Sequence, residues 1–138
     1  MTVRRLIDLE GEALVRAAEL LDRASHDVAK YMSITARNID PRTAGADDIV
    51  RVLHDLTRTD GRRPAWELWS EVSAPLHELA DDPELRGIDA AMTRAALAAG
   101  AGTGIDGVPG LVGATLDAAD RIVRLRRAVL ARRMEVER

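Results

Sequence analysis

The stretch Arg23-Ala-Ser-His-Asp-Val-Ala-Lys-Tyr-Met-Ser-Ile-Thr-Ala-Arg-Asn38 sets the architecture that we expect for this chain. It is the second half of a longer segment, residues 3–39, in which apolar or small residues recur in steps of three and four. That spacing places them along one side of an α-helix, where they form a continuous buried stripe. The stripe consists of Val3, Ile7, Leu14, Ala17, Leu21, Ala24, Val28 and the pair Tyr31 and Met32. We therefore expect one long helix over residues 3–39, capped by Thr2 and able to bend at Gly11.

His26 lies in this stretch, and the same periodicity sets its position on the helix. It stands two residues from both Ala24 and Val28, and about 100° of rotation per residue turns it away from the buried stripe. Its neighbours at helical spacing are Asp22, Lys30, Ser33 and Arg37. The sequence therefore predicts a polar ridge around His26. From this ridge we take His26, Asp27 and Lys30 as candidate catalytic residues, and Arg37 and Asn38 as candidate binding residues.

The composition excludes several classes of protein. With 138 residues, the chain is expected to form a single helical-bundle domain, residues 1–138. Only Tyr31, Trp66 and Trp69 are aromatic, so Leu, Val, Ile and Ala must build the core. The absence of cysteine excludes disulfides and thiolate chemistry. A net charge of −3 gives no reason to expect a nucleic-acid partner.

The distribution of apolar residues also bears on the compartment. No apolar run approaches the roughly 20 residues that a membrane span requires. The amino-terminal segment lacks the long uncharged stretch of a secretory signal. We therefore expect a soluble, cytoplasmic protein without membrane contact.

Proline and glycine divide the middle of the chain into further helices. The sequence Asn38-Ile-Asp-Pro41 is predicted to end helix 1, because the residue before a proline avoids the α region. Helix 2 is expected to begin at Asp47 or Asp48. Helix 3 is expected to carry Pro64 in its first turn, where the missing N–H costs nothing.

The end of helix 3 and the start of helix 4 are marked by two more prolines. Pro75 predicts a kink or a restart of helix 3, with Ser73 as a new cap. His77 is expected to act as a helix cap or to pack near that kink. Asp82-Pro83-Glu84 supplies a cap, a first-turn proline and an acid matched to the helix dipole. Helix 4 is therefore expected to start there and to end near Ala99.

The last part of the chain is predicted to be a glycine-rich loop over residues 100–110 and then helix 5 from about Leu111. Helix 5 carries two adjoining apolar rows, which are Leu111, Thr115, Ala118, Ile122, Leu125 and Val129, and Val112, Leu116, Ala119, Val123 and Leu130. An apolar band of this width indicates contact with two neighbouring helices. The sequence as a whole predicts an all-α bundle of about five helices, with long N-terminal and C-terminal helices.

The first functional pattern is Ser25-His26-Asp27 followed by Lys30. Over these few residues it resembles the phosphoacceptor box of sensor histidine kinases, in which an acidic residue follows the histidine. It is also similar to histidine phosphotransfer domains, which expose a histidine on a four-helix bundle with a lysine nearby. The resemblance implies that His26 accepts a phosphoryl group and that Lys30 stabilises its charge. Ala29 and Tyr31 stand where the kinase box has a basic residue and a proline, and no glycine follows Lys30.

The second functional pattern is the set His26, His54-Asp55 and Asp120. Its order and rough spacing resemble those of HD-type metal phosphohydrolases, all-α proteins in which such residues hold a divalent metal that activates water. The ligands of a metal must converge on one point. Helical spacing instead turns His26 off its stripe and places Asp55 on the charged side of helix 2.

Three other patterns have structural interpretations. The stretch Gly102-Thr-Gly104-Ile-Asp-Gly107 matches a dinucleotide fingerprint, but a helix precedes it where that motif requires a strand, so it is interpreted as a loop. Trp66 and Trp69 are interpreted as core or interface anchors and are candidate binding residues. The basic residues of helix 5 are interpreted as an outer face of the bundle, and they are Arg121, Arg124, Arg126, Arg127, Arg132 and Arg133.

The sequence therefore gives three functional hypotheses. The first is a small helical bundle that acts through protein–protein contacts, as an accessory or regulatory protein or as a homodimer, without a cofactor or a metal. It is motivated by the wide apolar band of helix 5 and by the lack of a convergent catalytic set in the sequence. The second is a phosphoryl-accepting or phosphoryl-binding bundle that uses His26. The third is a degenerate HD-type phosphohydrolase that uses His26, His54, Asp55 and Asp120.

Overall fold

The computed structural model describes residues 4–37, 65–100 and 108–136, and every regular element among them is helical. The first element is a short 3₁₀ turn, Leu6–Asp8. The helices that follow are α1 (Gly11–Ala24), a π-helical segment (Ser25–Ala29), α2 (Lys30–Arg37), α3 (Ala65–Leu79), α4 (Pro83–Gly100) and α5 (Val108–Val136). The predicted all-α class is confirmed.

The described part of the chain contains fewer helices than the five expected for the whole. Helix α1, the π segment and α2 are continuous, so the described residues form four helical rods where about five were predicted. The predicted second helix, from Asp47 or Asp48, lies outside the described residues. The predicted glycine-rich loop over 100–110 is too long at both ends, because α4 continues through Gly100 and α5 already begins at Val108.

The start of the first long helix was also predicted wrongly. Residues 6–8 form a 3₁₀ turn, and α1 begins only at Gly11, whose φ of +59° lies in the left-handed region. A left-handed residue cannot continue a right-handed helix, which separates the 3₁₀ turn from α1. Leu6 and Leu9 are nevertheless buried at 0% and 1% exposure. The amino-terminal segment therefore contributes to the core without belonging to the long helix.

The buried stripe of the first helix follows the predicted spacing across the π segment. Its described members from α1 onward are buried except for Tyr31, and they are Leu14, Ala17, Leu21, Ala24, Val28 and Met32. A π turn inserts an additional residue into the helical repeat. Val28 and Ala29 of the π segment are both buried, whereas Tyr31 remains 37% exposed.

Helix α3 passes through Pro75 without a break. The predicted restart is wrong, because a single helix covers Ala65–Leu79 with Pro75 inside it. Ser73 does not cap a new helix, and its hydroxyl instead donates to Asp89 of α4 at 2.8 Å. Packing of Trp69, Val72 and Leu76 in the core offsets the hydrogen bond that proline cannot make.

The C-terminal helix α5 lies against α1, α2 and α4, which fits the wide apolar band in its sequence. The described members of its first row are buried, and they are Thr115, Ala118, Ile122, Leu125 and Val129. In the second row Ala119 is buried, while Val112, Leu116, Val123 and Leu130 are half-buried. One hydrophobic core therefore extends from Leu6 to Val129. None of the helices in the described ranges is long and apolar enough to cross a membrane.

Asp82 connects the amino-terminal segment to the start of α4. It is 1% exposed, and its Oδ1 accepts the Glu84 N–H at 2.9 Å, as expected for a helix N-cap. Its Oδ2 accepts the N–H of Leu6 at 2.7 Å, across 76 residues of sequence. The predicted cap of helix 4 is confirmed, and the same carboxylate also satisfies a buried backbone donor of the first turn.

We expect Asp82→Ala to lower the free energy of unfolding by about 2–4 kcal/mol, because it removes a cap and leaves the buried N–H of Leu6 without an acceptor. Urea denaturation followed by circular dichroism measures this loss. Asp81→Ala is the matched control, since the Asp81 carboxylate is 55% exposed and pairs with Arg86 at the surface. Its cost is expected to stay within about 1 kcal/mol. Equal losses in the two variants would contradict the structural role of Asp82.

Candidate functional site

The most organised polar group in the described residues lies between α3 and α4. Trp69, Ser73 and His77 follow each other at intervals of four on α3, so they share one face of that helix. All three contact the carboxylate of Asp89 on α4. We call these four residues the Asp89 cluster.

The distances in the Asp89 cluster are those of strong hydrogen bonds. Trp69 Nε1 donates to Asp89 Oδ1 at 2.7 Å, and Ser73 Oγ donates to the same oxygen at 2.8 Å. His77 Nε2 lies 2.6 Å from Asp89 Oδ2. An ionised carboxylate can only accept hydrogen bonds, so Nε2 is the nitrogen that carries the proton.

Asp89 also fixes the orientation of its partners. The indole of Trp69 is 2% exposed, and a buried N–H without an acceptor is costly. The side chains of His77 and Asp89 are each 36% exposed, so this half of the cluster is in contact with solvent. The arrangement joins a fixed buried indole to an accessible imidazole.

An open groove of about 690 Å³ lies beside the Asp89 cluster, and we call it the α3–α4 groove. Its lining residues are Trp66, Trp69, Ser70, Ser73, Ala74 and His77 from α3, and Asp89, Met92, Thr93, Ala96 and Leu97 from α4. Trp66 is 45% exposed and Leu97 is 69% exposed. A mostly apolar concavity of this size, with few polar groups, is typical of a binding site.

The two predicted tryptophan anchors have different positions. Trp69 belongs to the core and the floor of the groove, whereas Trp66 is an exposed side chain of its lining. His77 was expected to cap or pack near Pro75, and it instead bonds to Asp89. The sequence did not indicate Asp89, and it suggested a capping role for Ser73, whose hydroxyl instead bonds to Asp89. The i, i+4, i+8 spacing of Trp69, Ser73 and His77 was the available signal, but it does not reveal the acceptor on another helix.

The polar ridge predicted around His26 is only partly assembled. His26 is exposed on the π segment, and Asp27 pairs with Arg23 at 3.7 Å. Asp22 bonds to Arg126 of α5, with Nη2 to Oδ1 at 2.7 Å. The Asp22 carboxylate therefore contacts the C-terminal helix.

The other candidates of the ridge have separate surroundings. Lys30 lines a second groove, between the first helix and α5, with Asp117, Asp120 and Arg127, and His26 is not part of that lining. Arg37 ends α2, and nothing about its side chain is described, while Asn38 lies outside the described residues. The roles proposed for these residues remain predictions.

Two of the four residues of the HD-type hypothesis lie outside the described residues. His54 and Asp55 lie in the segment 38–64, which the structure does not describe. Asp120 pairs with Arg124 at 2.9 Å on the exposed side of α5. Among residues 4–37, 65–100 and 108–136, no three His, Asp or Glu side chains are grouped so as to hold a metal ion. The hypothesis stays a prediction, and the glycine fingerprint at 102–107 is likewise outside the described residues.

Several arginines of the C-terminal helix form ion pairs along the bundle. Arg121 pairs with Asp117 at 3.0 Å, and Arg132 donates to the carbonyl oxygen of Ile7 at 3.1 Å. The first contact lies within α5 and the second reaches the 3₁₀ turn, which agrees with the interpretation of this cluster as an outer face of the bundle.

Comparison with known proteins gives no relative from which a function could be transferred. No protein-family model matches the sequence, and neither a curated protein nor a solved structure matches it significantly.

We expect Asp89→Ala to lower the free energy of unfolding by about 2–3 kcal/mol, because the buried indole N–H of Trp69 loses its acceptor. Ser73→Ala is the control within the same cluster, and its cost is expected to be about 1 kcal/mol because the other two bonds of Asp89 remain. Chemical denaturation with tryptophan fluorescence detection measures both changes. A smaller loss for Asp89→Ala than for Ser73→Ala would show that Asp89 does not organise the cluster.

Proposed function

We propose that this protein is an interaction module, which binds an apolar segment of a protein partner in the α3–α4 groove. The observation that carries the proposal is the exposure of Trp66 and Leu97, at 45% and 69%, beside a groove with an ordered floor. Large exposed apolar side chains around a concavity are a common feature of interaction sites.

The groove has the properties of an anchor site. Trp66 offers a large aromatic surface, and tryptophan is enriched among the residues that dominate binding energies. Trp69 is held by its bond to Asp89, so the floor needs little ordering when a partner binds. Lost side-chain entropy is a major cost of association, and a fixed floor reduces it.

The partner in this proposal is a protein chain, either another protein or a second copy of this one. A homodimer formed through the groove would satisfy the earlier expectation of self-association. The cytoplasm remains the compartment that we propose for this interaction.

We expect Trp66→Ala and Leu97→Ala to weaken partner binding at least tenfold, because each removes apolar surface that the partner would cover. The probe is a set of peptides selected from a random library on the immobilised wild-type protein, with affinities measured by fluorescence anisotropy. Met134→Ala is the matched control, since Met134 is 65% exposed on α5 and does not line the groove.

Two further results bear on this proposal. Light scattering over a range of concentrations would identify a second copy as the partner if the wild type is a dimer and Trp66→Ala is a monomer. Selected peptides that bind wild type, Trp66→Ala and Leu97→Ala with equal affinity would rule out the groove as the interaction site.

A second candidate function is phosphoryl transfer through His26, favoured by the exposure of His26 on a π-helical segment. Short π segments inside α-helices occur frequently at functional sites. In this reaction a ring nitrogen of His26 would attack the phosphorus of an acyl phosphate. An N–P bond would form as the P–O bond to the carboxylate breaks, and the carboxylate would leave.

Intact-protein mass spectrometry after incubation with acetyl phosphate tests the second candidate. We expect one acid-labile phosphoryl adduct in the wild type and none in His26→Ala, while His77→Ala retains it. The thermal stability of His26→Ala should be nearly unchanged, because an exposed side chain contributes little to folding. The absence of an adduct on the wild type, or its persistence in His26→Ala, would remove this candidate.

A further inference from the structure

We infer that the groove between the first helix and α5 binds a phosphate monoester, which Lys30 and Arg127 hold by its charge. This groove has a volume of about 700 Å³ and extends from Ser25 to Ser33 on the first helix and from Leu116 to Arg127 on α5. We call it the α2–α5 groove. The inference goes beyond the proposed function, because the α2–α5 groove shares no lining residue with the α3–α4 groove and does not include His26.

The two acidic side chains of the α2–α5 groove already have cationic partners. Asp117 Oδ2 lies 3.0 Å from Arg121 Nε and 3.5 Å from Arg94 Nη2. Asp120 Oδ2 lies 2.9 Å from Arg124 Nε. None of these three arginines belongs to the lining of the groove. The negative charge in the lining is therefore compensated by arginines beside it.

The two basic side chains of the same lining have no such compensation. Within residues 4–37, 65–100 and 108–136, neither the Lys30 ammonium nor the Arg127 guanidinium forms an ion pair or a hydrogen bond. Two like charges in one groove repel each other. An anion between them would remove that repulsion and pair with both, so the charge balance of the lining favours an anionic ligand.

The first helix and α5 run antiparallel along this groove. Arg132 donates to the carbonyl oxygen of Ile7, whereas Arg126, which comes earlier on α5, pairs with Asp22, which comes later in the chain. Residue numbers therefore rise in opposite directions on the two sides of the groove.

This direction turns the two cations toward each other. Arg127 lies at the end of the groove that contains Ser25, and Lys30 lies nearer the end that contains Ser33. A Cα–Cβ bond in an α-helix tilts toward the amino-terminal end of its helix, so Lys30 leans toward the Ser25 end and Arg127 leans toward the Ser33 end. The charged groups converge on the middle of the groove, where one anion can contact both.

A phosphate monoester matches both the donors and the walls of the groove. It carries about two negative charges near neutral pH and offers three acceptor oxygens. A guanidinium can bind two of these oxygens and an ammonium the third, while the hydroxyls of Ser25 and Ser33 are further donors. A carboxylate has only two oxygens and one charge. The apolar side chains of Ala29, Leu116 and Val123 provide surface for the organic part of the ester.

The composition of the chain offers a direct probe of this site. Lys30 is the only lysine, so a protein grown with ¹³Cε-lysine gives a single side-chain signal in a ¹H–¹³C correlation spectrum. We titrate it at constant ionic strength with phenyl phosphate, inorganic phosphate and benzoate. Phenyl phosphate is expected to bind about fivefold more tightly than either of the other two, a ratio that corresponds to about 1 kcal/mol.

Two variants separate a site from a general effect of charge, and both keep the lysine label. Arg127→Gln is expected to weaken the binding of phenyl phosphate about fivefold, because it removes one of the two cations of the groove. Arg86→Gln removes the same charge at the start of α4, where Arg86 pairs with Asp81 and does not line the groove. Its affinity for phenyl phosphate is expected to equal that of the wild type. Circular dichroism establishes that each variant is folded.

Four outcomes would overturn the inference. The first is a Lys30 signal that phenyl phosphate does not shift at millimolar concentration. The second is equal weakening in Arg127→Gln and Arg86→Gln, which would show an effect of net charge without a site. Benzoate that binds as tightly as phenyl phosphate would contradict the choice of phosphate. Inorganic phosphate that binds as tightly as phenyl phosphate would contradict the choice of an ester.

Discussion

The fold depends on one buried carboxylate, that of Asp82, which accepts the backbone N–H groups of Leu6 and Glu84. A buried charge is costly unless its hydrogen bonds are complete, and here the partners come from two distant parts of the chain. The carboxylate also lies at the amino-terminal end of α4, where the helix dipole favours a negative charge. Asp82 thereby fixes both the position of the 3₁₀ turn and the residue at which α4 begins.

That starting point has consequences for the functional site. Asp89 follows Asp82 by seven residues, close to two helical turns of about 3.6 residues each, so the two carboxylates lie near one side of α4. Asp82 binds the amino-terminal turn and Asp89 binds α3. Sliding α4 by one residue relative to the bond between Leu6 and Asp82 would rotate Asp89 by about 100° away from Trp69, Ser73 and His77. The capping of α4 and the geometry of the groove are therefore linked.

Much of the architecture could be predicted from local rules. The buried stripe from Leu14 to Met32 follows helical periodicity, and Asp82-Pro83-Glu84 begins α4 as its capping chemistry requires. The errors have both tertiary and local causes. Pro75 lies inside an unbroken helix because its neighbours are buried, and Gly11 ends the amino-terminal segment by its left-handed backbone. The π-helical form of Ser25–Ala29 was not predicted, because the buried stripe has the same spacing there as in a regular helix.

The candidate site likewise combines features that the sequence predicted with features that only the tertiary structure creates. The amino-acid sequence alone established the all-α class, the exposed position of His26 and the presence of a tryptophan pair on α3, because these follow from spacing along one helix. It could not show that Trp69, Ser73 and His77 share an acceptor 12 to 20 residues away. That contact depends on how α3 and α4 are rotated against each other, which is set by the packing of the common core. The groove and the Asp89 cluster therefore exist only in the folded chain.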